Sequence, residues 1–200
     1  CLDYSVDLST FGDLLTKGRW SGALSLAEDL QSSFGQQQKI RLYSQPHLDY
    51  GTAIPLLLLN EALDNVKILP IGYIDSNDCQ KQAEFGELLG DFLRKWPGKV
   101  AIIGSGDLAH CLGAEQPNGL QARGKKFDQR LQEALRTNNQ EALLNISSQT
   151  ASETGQCAWL AYATLQAIMK NQPGNWHNLS YEAPFGVGGA VWQWRKDEES

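Results

Sequence analysis

The chain has 200 residues, 42% of them hydrophobic and 20% charged, which is the composition of a globular protein long enough to close one sizeable core. Its net charge of −6, with basic residues scattered rather than gathered, excludes a generic nucleic-acid surface, because phosphate binding needs a concentrated basic face. The longest apolar run, "AIPLLLL", falls far short of the roughly 20 residues that a bilayer span requires, so no membrane partner is expected.

The opening "CLDYSVDLSTFGDLL" has neither a basic n-region nor a long apolar h-region and does not read as a signal peptide. It starts at Cys1 rather than Met, and a fragment or processed chain is the expectation. "WSGALSLAEDLQSSFG" puts Trp20, Leu24, Ala27 and Leu30 at helical spacing and stops at Gly35. "QKIRLYS" (38–44), "VKILPIGYI" (66–74) and "KVAIIGSG" (99–106) read as strands. Between the last two, "NDCQKQAEFGELLGDFLRKW" places Phe85, Leu88, Leu89, Phe92 and Trp96 on one helical face, with Ser76 or Asn77 as cap, completing a βαβ unit. The breakers in "GAEQPNGLQARG" predict a surface loop. "KKFDQRLQEALRTNN" then shows Phe127, Leu131, Ala134 and Leu135 at helical spacing, and "ASETGQCAWLAYATLQAIMKNQ" reads as a second, more apolar helix. "NLSYEAPF" and "GVGGAVWQWR" read as two strands joined near Gly186, before a fraying charged tail. Strands alternating with amphipathic helices, and no internal linker, predict one α/β domain over residues 1–200. Cys1, Cys79, Cys111 and Cys157 lie far apart with no C-x-x-C pair, which fits a reducing cytoplasm.

"KVAIIGSGDLAHCLG" (99–113) admits two functional readings. Gly104, Gly106 and Ala109 satisfy a G-x-G-x-x-A dinucleotide fingerprint, but that motif needs a helix opening at its glycines and an acid ending the next strand. Breakers follow within a few residues, and the nearest acid, Asp128, falls in a helical pattern. The other reading makes Asp107 and His110 the working groups at the carboxyl end of a strand, with the imidazole as general acid–base. A histidine that merely caps or packs beneath the loop is the bland alternative.

Four segments in order, "HLDYGTAIPLLLL", "GSGDLAHCLG", "GKKFDQRLQEAL" and "SYEAPFGVGGAVW", resemble the class III extradiol ring-cleaving dioxygenases, a superfamily that includes the Memo proteins. The resemblance spans roughly residues 40 to 194. It implies a three-layer sandwich, with a central mostly parallel or mixed sheet covered by helices on both faces, and is compatible with a homodimer. It implies a non-haem Fe(II) held by two His and one carboxylate, leaving adjacent positions for a small aromatic diol and O₂.

Carried onto this sequence, His110 matches the acid–base histidine of S-G-D-L-S-H, with Asp107 as the motif's aspartate. Glu153 in "SETGQ" is the implied carboxylate metal ligand; the alternative is an acid favourably placed in a helix's first turn. Glu182 is a weaker substitute. Tyr50 stands where the family's D-H-G motif has histidine, and a phenol donates a hydrogen bond but shuttles protons poorly at neutral pH. The family's two histidine ligands come from an N-terminal part upstream of anything in this chain, whose own histidines are His47, His110 and His177. His47 reads as a loop residue and His177 as a surface or packing residue. Activity of this chain alone is therefore doubtful, and a non-catalytic Memo-like binding or scaffold protein is the main rival reading. A nucleotide-binding domain is the third.

Overall fold

The computed structural model describes residues 1–34, 40–59, 65–73, 78–116 and 119–196. They gather into two compact units, Cys1–Ile74 and Asp75–Ser200. No helix among the described residues is long and apolar enough to cross a membrane.

The first unit is built on a mixed sheet in the order β1-β2-β3. Strand β1 (Asp3–Asp7) pairs antiparallel with β2 (Lys17–Gly22), which pairs parallel with the two-residue β3 (Lys67–Ile68). Alternation along "DYSVD" buries Tyr4 and Val6 with Leu8, Trp20 and Ile68. Helix α1 (Leu24–Phe34) buries Ala27, Leu30 and Phe34. Trp20, expected on that helix, belongs instead to β2, because it pairs with Tyr4 of β1 and the adjacent Ser21 is held in ladders on both sides. Gly35 lies outside the described residues. Helix α2 (Tyr50–Leu58) is capped by Asp49, whose carboxylate accepts the Thr52 N–H at 2.7 Å, and inserts Ala53 and Leu56 into the same core.

Two expected strands are corrected here. Residues 40–44 form no strand; the chain meets β1 only through the Ser5–His47 bridge, and residues 38 and 39 lie outside the described residues. The 66–74 strand shrinks to β3. Leu42, Tyr43 and Ile71 remain exposed, so their apolar alternation finds no facing layer within the described residues.

The second unit carries the larger core. Its helices are α3 (Cys79–Lys95), α4 (Leu120–Arg136), α5 (Gln140–Leu144), α6 (Ser148–Glu153) and α7 (Trp159–Met169), followed by the antiparallel hairpin β4 (Asn175–Glu182) and β5 (Gly189–Arg195). The hairpin follows the pattern of "NLSYEAPF…WQWR", and its connection does turn at Gly186. Leu108, Leu131 and Leu143 are fully buried with Phe127, Leu135 and Trp159. Each such leucine contributes about 2 kcal/mol through burial.

Three further differences from the sequence pattern have local causes. Asp78 caps α3 by accepting the Lys81 N–H at 3.1 Å, while Ser76 and Asn77 lie outside the described residues. Its buried stripe is Cys79, Ala83, Gly86, Leu89 and Gly90: Leu89 of the expected face is buried, while the rest of the stripe turns toward the glycines, which let α7 approach. Helix α4 begins at Leu120, inside the expected loop, after Gly119 turns the chain at φ 73°. Residues 99–106 form no strand, and Val100, Ile102 and Ile103 stay half exposed.

A Cβ on Gly86 would stand 2.6 Å from the Thr164 carbonyl oxygen and 2.8 Å from the Ala167 Cβ. Gly86→Ala should therefore destabilise by about 1–3 kcal/mol through overpacking. Helix propensity alone would make the same change stabilising by about 1 kcal/mol. Urea unfolding of the variant decides between the two signs.

Candidate functional site

Residues 107–112 form an extended segment gripped from two sides. On one side Leu108 and Leu112 donate their N–H groups to the carbonyls of Gly188 and Gly186 at 2.8 Å, and Gly188 donates back to Ala109 at 2.9 Å. On the other, His110 donates to the Thr154 carbonyl at 2.8 Å, while Cys157 and Ala158 both donate to the Asp107 carbonyl at 3.0 Å. Leu108, Ala109, Cys111 and Leu112 point into the core, which leaves Asp107 and His110 outward. The spacing of three between the two outward residues follows from that anchoring.

The single helix expected over 151–172 is two helices. Gly155, at φ 69°, breaks the chain between α6 and α7, and it lies against His110: a Cβ there would sit 3.3 Å from the His110 Cβ. Gly106 has a matching role. A Cβ on it would lie 2.7 Å from the Ala158 Cα and 2.8 Å from the Cys157 carbonyl oxygen, so glycine is what allows the two segments to touch. The glycine pair therefore serves packing; Gly104 likewise faces Leu165 of α7. No helix opens at these glycines, since the next one starts at Leu120, so no helix terminus is aimed at a phosphate there.

Asp128 holds the segment from below. It is 1% exposed; one carboxylate oxygen accepts the Ala109 N–H at 2.9 Å and the other accepts the Tyr181 hydroxyl at 2.8 Å. Burial pushes its pKa above the usual carboxylate value, opposed by those two donors and by the charge of His110. Burial and the same carboxylate push the Tyr181 phenol up to about 12, so it remains a donor. Sequence reasoning weighs Asp128 only as a ribose acid and misses this role. The available signal is an acid on the buried stripe of α4, three residues before Leu131 and seven before Leu135.

The structure brings His110 and Asp107 together, with Nε2 3.6 Å from Oδ2 and side chains 40% and 50% exposed. A third group joins them that the sequence did not single out: the Cys157 thiol, whose sulfur accepts the Asp107 N–H at 3.1 Å. One ligand atom from each of Asp107, His110 and Cys157 lies within 4.8 Å of the others. Glu153 is outside this group. It is the last residue of α6 rather than in a first turn, with its carboxylate 3.6 Å from the Arg123 guanidinium and accepting from Gln149 at 2.9 Å. Glu182 ends β4, exposed. Tyr50 belongs to the first unit, where it opens α2 and packs edge-on to Phe11. His47 pairs with the Ser5 hydroxyl in that unit, and His177 is exposed on β4. Two shallow cavities of about 290 and 530 Å³ run along α4, and neither is lined by His110, Asp107 or Cys157.

A family model of the catalytic LigB subunit of aromatic ring-opening dioxygenase matches residues 6–192. The chain belongs to that family. Among curated proteins, Protein CA_C1420 of Clostridium acetobutylicum is 29% identical over 169 residues, which cover 84% of this chain and 36% of that protein. The chain thus spans about a third of the length of the curated relative it matches. LigB-family enzymes generally use Fe(II), bound by two imidazoles and a carboxylate. The cluster at His110 offers one imidazole, one carboxylate and one thiol, so the donors that the described residues bring together do not fit that iron site.

Because the folded-state pKa of Asp128 is raised, its contribution to stability is present below the ordinary aspartate range and is lost as pH rises through the folded value. Asp128→Asn should remove that downward slope. Thermal unfolding across pH 3 to 8 should show wild type losing stability relative to the variant as pH climbs above the usual carboxylate range.

Proposed function

We propose that this chain carries the proton-handling part of an aromatic ring-opening site. His110 takes a hydroxyl proton from a catecholic diol, and the Asp107 carboxylate steadies the imidazolium that results. The observation that supports this most is the outward pair, 3.6 Å apart and open to solvent, on the stretch that matches the ring-opening dioxygenase family. An adjacent pair of hydroxyls presents one proton to the imidazole and keeps a second donor on the same ring edge. O₂ is the co-substrate.

The finer architecture belongs to the same proposal. A three-layer sandwich with a central mostly parallel or mixed sheet, one domain over residues 1–200 and a homodimer are the architecture that the family resemblance supports. The four free thiols fit a cytoplasmic location.

The second reading is a binding or scaffold protein that keeps the pair without oxygen chemistry. The donor set favours it, since one imidazole, one carboxylate and one thiol are not the family's iron ligands. The pairing of Glu153 with Arg123 and Gln149 likewise supports a structural acid over a ligand.

Calorimetric titration of the protein with catechol and with resorcinol, whose hydroxyls are not adjacent, tests the diol reading. Catechol should bind in preference, and His110→Gln should weaken it at least ~10-fold, about 1.4 kcal/mol. Equal affinity for both diols, or no loss in the variant, would sink it. Oxygen uptake with catechol then separates the two readings: binding without uptake supports the scaffold.

A further inference from the structure

We infer that Asp107, His110 and Cys157 form a binding site for a thiolate-preferring divalent cation of the zinc class. Three donor types converge here, and their ligand atoms lie within 4.8 Å of one another. In a tetrahedral zinc site, bonds of roughly 2.0 to 2.3 Å place neighbouring donors roughly 3.5 Å apart. The Asp107–His110 separation of 3.6 Å already matches, and small rotations of the exposed Asp107 and His110 side chains toward the Cys157 sulfur close the remaining gap. Three protein ligands leave the fourth position to solvent or to a small ligand.

The framework behind the donors is fixed. Asp107 and Cys157 are tied by the Cys157 N–H to Asp107 carbonyl bond at 3.0 Å, and His110 is tied to Thr154 at 2.8 Å. The Asp107 N–H aimed at the Cys157 sulfur, at 3.1 Å, complements the negative charge that a coordinated sulfur retains. A carboxylate and a thiolate together neutralise a dication, with the neutral imidazole as third ligand; binding releases the thiol proton to solvent.

The donor chemistry also selects the cation. A thiolate is a soft ligand, and mixed sulfur, nitrogen and oxygen donors bind Zn²⁺ more tightly than Fe²⁺ in the ordinary divalent order. Hard cations such as Mg²⁺ and Ca²⁺ want oxygen donors throughout. This inference stands on the donor geometry and not on the ring-opening reading, so either can fail alone. The two do interact: an imidazole nitrogen that holds a cation cannot also accept a proton, so zinc loading excludes proton transfer at that atom.

The test is titration of the reduced protein with Co²⁺ as a coloured substitute, followed by displacement with Zn²⁺. One Co²⁺ per chain should bind, with a sulfur-to-cobalt charge-transfer band in the near ultraviolet that one equivalent of Zn²⁺ removes. Cys157→Ser should abolish the band, whereas Cys1→Ser should keep it. His110→Gln and Asp107→Asn should each weaken Zn²⁺ binding at least ~10-fold. Zn²⁺ should also slow alkylation of Cys157 in the unmodified protein at least ~10-fold, a readout that needs no variant to fold. The inference is overturned by absence of a 1:1 complex, by a band that survives Cys157→Ser, by unprotected alkylation, or by unchanged affinity in either of the other variants.

Discussion

The Asp128 carboxylate, shared between the Ala109 amide and the Tyr181 hydroxyl, is the interaction around which the second unit is arranged. A buried anion is costly unless its lone pairs are used, so helix α4, the 107–112 segment and strand β4 must meet at that point or leave it unsatisfied. Gly188 completes the arrangement from the hairpin. A Cβ there would collide with the carboxylate and with Leu108, so the backbone comes in bare and exchanges hydrogen bonds with Leu108 and Ala109. The polar contacts set the register of the segment, and the leucines around it supply the burial.

That register determines what faces outward. With Leu108, Ala109, Cys111 and Leu112 committed to the core, Asp107 and His110 are the side chains left for chemistry. The turn between α6 and α7 adds Cys157 to them through backbone bonds and through its sulfur, which accepts the Asp107 N–H. Main-chain geometry sets the site, with glycines at 106 and 155 granting the closeness, and the Asp107 N–H to Cys157 sulfur bond and the Asp107–His110 pair link the side chains themselves.

The sequence disclosed the parts whose partners are local. The terminal hairpin, the amphipathic face of α4 and the choice of Asp107 and His110 as neighbouring groups were readable from periodicity and motif spacing, whereas the apolar 151–172 stretch gave α7 without the break at Gly155. What escaped was set at a distance. β1 is short and polar at alternate positions, and its identity as a strand depends on β2, whose paired residues run from Lys17 opposite Asp7 to Ser21 opposite Asp3. The 40–44 and 99–106 segments have strand-like composition but no ladder among the described residues, which composition cannot reveal. Cys157 and Asp128 lie 50 and 19 residues from their hydrogen-bonding partners Asp107 and Ala109. No one-dimensional spacing rule joins such pairs.

The hairpin also sets how the molecule responds to light. Trp176 and Trp194 meet edge to face, with centroids 5.3 Å apart, and the indole N–H groups of Trp176, Trp192 and Trp194 are buried with no hydrogen-bond acceptor among the described residues. Indoles held in such dry surroundings emit at short wavelength, and they shift to the red when water reaches them. The hairpin's share of the intrinsic fluorescence, alongside that of Trp20, Trp96 and Trp159, therefore reports the packing of β4 and β5, the same strands whose connecting turn steadies the His110 segment.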